Sequence, residues 1–367
     1  MDFLKDGYYS LIVCPRRRGN PRNTADSLLE LHDGTLVYIY GRQRARADEA
    51  ASDVAAKKST DGGFSWSASF VLMANQGNMN SGTGGWRRLH SGKIGVVIFH
   101  MDDYDNLKCY FSTTDDRLKE YSEPSLITAR PGYNCPCNGR LLQLDSGRLI
   151  YPVAYTVRSR AQNENYSVLV YFSDDEGKTW RESRSELKLA KRGAMEPVVA
   201  EIKEGRCMML IRTQLGSQYQ SFSDDGGETW TPAQPSALIS PEGGVYLTRI
   251  PSTGDLLACW NYDFKPHWHN RHYGLRCPLS AAISKNAGKT WENVKDIEDD
   301  HRYSFGNPSI TFVKDKVYIV YYQGYGIDER GVWDAKLTIL PESFFYDEKP
   351  LNRALREIPE PKTPLFV

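Results

Sequence analysis

Neither sign of charge is in excess in this chain of 367 residues: Lys plus Arg and Asp plus Glu number 46 each. That balance removes the reason to expect nucleic acid or another polyanion as a partner. No apolar run approaches the roughly 18 residues of a membrane helix. The opening Met1-Asp2-Phe3-Leu4-Lys5-Asp6 lacks a basic region followed by an apolar stretch. Neither a membrane partner nor an export signal is therefore expected. Seven cysteines, an odd number scattered along the chain, do not make a disulfide framework and suit a reducing, cytoplasmic compartment. Cys135-Pro136-Cys137 is spaced too closely for a zinc pair and has no second pair to match it. His267, His269 and His272 lie in an aromatic-rich segment without a spaced acidic partner, and read as a loop lining a cleft rather than as ligands. No metal is expected. No long linker or low-complexity stretch divides the chain, so residues 1–367 read as one domain, and 40% hydrophobic content is enough for a large core.

What the chain does have is a repeated octapeptide, S-x-D-x-G-x-T-W. Its copies are Ser59 to Trp66, Ser173 to Trp180, Ser223 to Trp230 and Ser284 to Trp291, the last with Asn286 in the Asp place. A worn copy, Ser112-Thr113-Thr114-Asp115-Asp116, has lost the Gly and the Trp. Starts at 59, 112, 173, 223 and 284 give the spacing of a propeller blade rather than of a helical repeat. Each copy follows a short apolar run and reads as a strand entering a tight turn. The Ser and Asp side chains bond amides inside the turn, Gly takes a conformation closed to other residues, and Trp packs the turn onto its own blade. The boxes are thus structural and stand away from any substrate.

Between the boxes lie hairpins. Leu28 to Tyr40 turns at Asp33-Gly34, and the design returns at Leu141 to Tyr151, Val198 to Leu210 and Leu247 to Trp260. It is less sharp at Trp86 to Phe99 and Ile310 to Tyr322. Six hairpins predict an all-β fold, a six-bladed β-propeller of four-stranded antiparallel sheets. Ala335 to Leu340 supplies a further strand to the last blade, and Tyr8 to Val13 closes the ring by pairing with it, so that no long edge is left open.

A six-bladed propeller with these boxes resembles the sialidase superfamily over nearly the whole chain. The resemblance implies three arginines that hold the carboxylate of a 2-keto sugar acid, an Asp acid/base, and a Tyr nucleophile whose proton a Glu accepts. Arginine suits a carboxylate because its planar fork bonds both oxygens and stays charged. A neutral phenol avoids the repulsion a carboxylate nucleophile would meet, which sets such enzymes apart from the two-carboxylate glycosidases.

The motif positions carry over as follows. Arg22, in Pro21-Arg22-Asn23-Thr24, stands where the family has its first arginine, without the usual Arg-Ile-Pro, and Arg16, Arg17 and Arg18 compete for the place. Arg42, in Gly41-Arg42, resembles the arginine that contacts the sugar's ring substituents. Asp48 falls in the acid/base place, with Glu49 and Asp53 as rivals. Glu196 and Arg212, at the two ends of one hairpin, resemble the nucleophile's partner and the second arginine, and antiparallel pairing brings both to the same end of a blade. Arg276, eight residues before Ser284, is the third arginine, with Arg271 as the alternative. Tyr303, opening the sixth blade, is the nucleophile.

The function so implied is exo-acting, retaining hydrolysis of a terminal α-ketosidically linked sialic or related ulosonic acid through a tyrosyl-glycoside, with Asp48 first as acid and then as base. No cofactor is called for. A hydrolase or lyase of another anionic sugar, or a non-catalytic carbohydrate- or protein-binding propeller, are the competing readings.

Overall fold

The computed structural model describes residues 2–4, 8–162, 164–262, 276–325 and 329–347. Among these residues the regular structure is strand throughout, apart from one 3-10 turn at Glu342–Phe345. No helix among the described residues is long and apolar enough to cross a membrane. His267, His269, His272 and Arg271 lie outside the described residues.

Antiparallel meanders follow one another along the chain. Arg22–Glu30, Leu36–Gln43, Ser52–Ser59 and Phe70–Met73 form one. Asn80–Arg88, Ile94–Asp103, Asn106–Thr114 and Ser125–Leu126 form the next. Gly132–Cys135 and Leu142–Gln143 then pair Leu149–Thr156, which pairs Ser167–Ser173 and, beyond it, Arg181–Glu182 and Leu187–Lys188. Two clean four-stranded sheets run from Met195–Lys203 to Gln234–Ile239 and from Tyr246–Arg249 to Glu292–Glu298. Tyr303–Val313, Lys316–Tyr325 and Glu329–Pro341 complete the series. Their fourth strand is Tyr8–Cys14, which pairs Tyr9 with Ile339 and Leu11 with Leu337. A parallel bridge of Trp333 to Arg22 joins this last sheet to the first.

Central strands of these meanders are buried on both faces. Leu36 to Tyr40, Leu149 to Ala154 and Leu256 to Asn261 are buried at every position, the mark of a sheet covered on each side. The covering comes from the neighbouring meanders. Val37, Ile39, Val54 and Ala56 of the first pack with Trp86, Ile94 and Val96 of the second in one cluster. Each such aliphatic side chain removed from water contributes about 1.5–3 kcal/mol.

The boxes form the turns their sequence predicts. In the second copy Asp175 accepts from Thr179 N at 2.9 Å and Thr179 Oγ1 at 2.6 Å, Ser173 Oγ accepts from Gly177 N at 2.9 Å, and Trp180 Nε1 donates to Gly177 O at 3.1 Å. The same bonds recur around Asp61 and Asp225, and Asn286 supplies its own version. The indoles differ from expectation in where they pack. Trp180 lies 5.6 Å from Phe111, in the preceding meander, so the turn is seated on its neighbour as well as on its own sheet. Gly177, at φ 83, is required twice over: a Cβ there would meet Phe111 at 2.1 Å.

Candidate functional site

A cavity of about 420 Å³ opens where the first strands of successive meanders converge. Arg22 and Asp26 come from one opening strand, Asn80 and Thr83 from the next, Glu196 from a third and Asn307 from the last. Two of these residues sit on strained backbone. Glu196 has φ 40 and Asn307 φ 50, each just before a proline and each at an interruption of strand register. Positive φ in a non-glycine residue costs about 1–3 kcal/mol and clusters at functional sites, and a bulge re-aims the side chain it carries.

Arg22, Asp48, Glu196, Arg212 and Arg276 all line this cavity. Arg22, almost fully buried, donates to Asp48 and to Arg46 O, the latter at 2.8 Å, and its guanidinium lies 3.5 Å from the Trp333 ring centroid. Arg212 donates to Glu196 Oε1 at 2.5 Å and to Glu242 Oε1 at 3.0 Å. Arg276 donates to Tyr322 Oη at 2.8 Å and reaches Asn307 Oδ1 at 3.5 Å. The Nε–H of all three arginines is buried without an acceptor among the described residues, and Glu196 Oε2 is buried without a donor. Unsatisfied buried groups of this kind are costly in a finished core and are natural where a ligand is to bind.

Five arginines and five carboxylates line the cavity among the described residues, so the field is set by pairing. Asp48 is half exposed; what desolvation it meets works against its charge, but Arg22 and Arg160 outweigh it and hold the carboxyl below its ordinary range. Burial likewise opposes the charge on Arg212, and Glu196 and Glu242 reverse the outcome, raising its pKa. Asp26 is the exception. It is 4% exposed, accepts from Thr83 and from Gly139 N at 3.1 Å, and burial pushes its carboxyl up to about 7 because those hydrogen bonds, with a smaller contribution from Arg140, only partly compensate.

Two expected residues stand elsewhere. Arg42 is not among the lining residues and bonds Asp53 Oδ2 at 3.1 Å, since strand alternation turns its neighbour Gln43 to the cavity instead. Tyr303 is also absent from the lining; its ring packs edge-on against Tyr325 at 5.3 Å. Tyr322 is the phenol near the arginines. It is not a lining residue, but its oxygen accepts from Arg276 and its ring stacks on Trp333 with centroids 3.9 Å apart, and both of those are. Gly306 makes room for it: a Cβ there would lie 2.7 Å from Tyr322 Oη. Among the competitors, Glu49 lines the cavity and accepts from Arg160 at 2.7 Å, whereas Arg16 is bound to Asp334 and Arg17 and Arg18 are exposed. Cys135 and Cys137 are free thiols of the cavity wall, Cys137 pushed up to about 11 by burial. None of the described lining residues belongs to a box.

The family described as BNR repeat-like domain matches residues 42–319. A sialidase of Bacteroides fragilis is 24% identical over 335 residues, covering 80% of this chain and 58% of that protein. A sialidase of Clostridium perfringens is 23% identical over 247 residues, 59% of this chain and 61% of its own length. The chain thus spans less than two thirds of these relatives. Among solved structures, a Dyadobacter fermentans protein of unknown function is 19% identical with a TM-score of 0.71, covering 92% of this chain and 100% of the other. A Trypanosoma rangeli sialidase in complex with 2,3-difluorosialic acid, a covalent intermediate, is 15% identical with a TM-score of 0.69, covering 92% and 59%. At these identities the likeness is one of fold.

Proposed function

The chain belongs to the BNR repeat-like family of the sialidase superfamily, and from that premise we propose that it is an exo-acting glycoside hydrolase cleaving a terminal α-ketoside of a sialic or related ulosonic acid. The observation that carries this reading is the meeting of Arg22, Arg212 and Arg276 in one cavity with Asp48 and Glu196. The sequential meanders are read as six blades of a single propeller domain, an arrangement supported by the pairing of Tyr8–Cys14 with Glu329–Pro341.

The ion pairs give the cavity a trigger. A substrate carboxylate that engages Arg22 competes with Asp48 for the same guanidinium, and Asp48 loses the interaction that keeps it ionised. It then takes up a proton and donates it to the leaving oxygen. The reacting phenol is assigned to Tyr322, with its oxygen at Arg276. That oxygen attacks the anomeric carbon, its proton passes to Glu196, and the bond to the leaving group breaks as Asp48 protonates it. Water then attacks the tyrosyl-glycoside with Asp48 as base, and the configuration is retained. Arg42, held by Asp53, has no part in this scheme.

The test is an assay on aryl α-ketosides of N-acetylneuraminic acid, its deaminated analogue and Kdo, with the first-formed anomer read by NMR. Release of one of these acids as the α anomer is expected. Binding of an unsaturated 2-keto sugar acid without turnover of any substrate would instead identify a carbohydrate-binding propeller. The absence of both binding and turnover overturns the proposal.

A further inference from the structure

The segment from Cys137 to Gln143 leaves the candidate active site and enters a second cavity. Cys137 and Asn138 line the first; Gly139 to Gln143 line the second, which has a volume of about 100 Å³. A water occupies about 30 Å³ of the liquid, so this space holds a small ion or a few waters and no sugar. Arg87, Arg140 and Arg249 line it, with Asp145 and Glu201 as the carboxylates.

Those carboxylates are already engaged. Asp145 Oδ2 accepts from Arg249 at 3.2 Å, while Glu201 Oε2 accepts from Asp145 N and its Oε1 from Gly205 N, each at 2.7 Å. Arg140 is only 2% exposed and donates Nη2 to Val245 O at 2.7 Å and to Cys137 Sγ at 3.3 Å. Its Nε and Nη1 are buried with no acceptor among the described residues. Arg87, half-buried, has no carboxylate partner among them either, and desolvation disfavours its charge. Asp26, in the first cavity, bears on Arg140, and burial leaves its carboxyl only about half ionised near pH 7. A guanidinium cannot shed its proton in a protein, so one buried cation, Arg140, and one half-buried cation, Arg87, lack a close counter-charge here.

We propose that this second cavity binds a tetrahedral inorganic oxyanion through Arg87 and Arg140. Several oxygens on one small anion answer donors that arrive from different sides, which a protein carboxylate reaching in from one wall does not. The site stands whether or not the sugar reaction assigned above is correct.

Thermal melts of the full chain in sodium phosphate, against sodium chloride at matched ionic strength, provide the test. A saturable rise in melting temperature is expected with phosphate. In Arg87→Gln the half-saturating concentration should increase at least tenfold, and Arg87→Lys should restore part of it. Arg276→Gln, which alters the first cavity, should keep the wild-type phosphate response. Crystals soaked in selenate should give an anomalous peak beside Arg140, a readout that needs no variant to fold. No saturable rise, or a rise lost in Arg276→Gln and kept in Arg87→Gln, or selenate absent from this cavity, overturns the proposal.

Discussion

Arg22 rests its guanidinium on the indole of Trp333, 3.5 Å from the ring centroid, while the same residue holds Asp48. A cation over a desolvated indole contributes on the order of 2 kcal/mol, and this one also fixes the direction of a carboxylate-binding fork. Trp333→Ala is expected to weaken binding of an unsaturated 2-keto sugar acid by roughly tenfold, about 1.4 kcal/mol, by calorimetry. Trp333→Phe should recover most of that loss. An unchanged Kd in Trp333→Ala means the indole does not position Arg22 for substrate.

The phenol assignment separates two tyrosines. Tyr322→Phe should lower turnover of the active aryl ketoside at least about a hundredfold with little change in melting temperature, the scale on which loss of a reacting group is felt. Tyr303→Phe should stay within about threefold of wild type. The opposite ranking would return the role to the residue that opens the last sheet.

Asp26 makes stability depend on pH in an unusual direction. Its carboxyl is raised to about 7 in the fold and near 3.9 when unfolded, so the folded chain favours the neutral form, and this contribution, on the order of 4 kcal/mol, is complete below about pH 4 and lost as pH rises through 7. Asp26→Asn mimics the neutral acid, with Oδ1 accepting from Gly139 N and Nδ2 donating to Thr83. It should melt above wild type at pH 8, with the difference fading by pH 4. Melts that keep the same offset across that range would exclude the buried titration.

The boxes predict the reverse sign. Asp175, held at about 2 although burial opposes its charge, is the acceptor of Thr179's amide and hydroxyl, and its stabilisation is present above the unfolded carboxylate pKa and lost as pH falls toward 2. Asp175→Ala should cost about 1–3 kcal/mol at pH 7, a drop of a few degrees in melting temperature. Asn286→Asp should raise the melting temperature slightly at pH 7 and lose that gain at pH 3. An Asn286→Asp protein that melts lower at both values argues against the shared turn chemistry.

What the sequence made legible is what short-range chemistry controls. Ser173, Asp175, Gly177 and Trp180 bond one another within eight residues, so spacing alone announces the turn. Hairpins such as Leu28 to Tyr40 also declare themselves, since alternation and Asp33-Gly34 fix their register. From that frame Arg22, Asp48, Glu196, Arg212 and Arg276 were all singled out, and all five line the cavity. Tyr322 was not, because its ring reaches the arginines from a return strand across Gly306, beside a register break that no pattern of residue types signals. Trp333 was hidden for a related reason: it meets Arg22 only through the bridge that joins the last sheet to the first. Asp26 reads as one more polar residue of a strand until Thr83 of the next opening strand and the turn residue Gly139 are seen around it.

The join between Arg22 and Trp333 has a bearing on biosynthesis. Arg16 N bonds Asp334 Oδ1 across 318 residues, and Trp333 N bonds Pro21 O beside it. A ribosome releases the first arginine of the cavity long before it makes the indole that arginine rests on. A chain that stops short of Trp333 therefore carries Arg22 without the indole that seats it, and the cavity wall is complete only once the early and late strands have met.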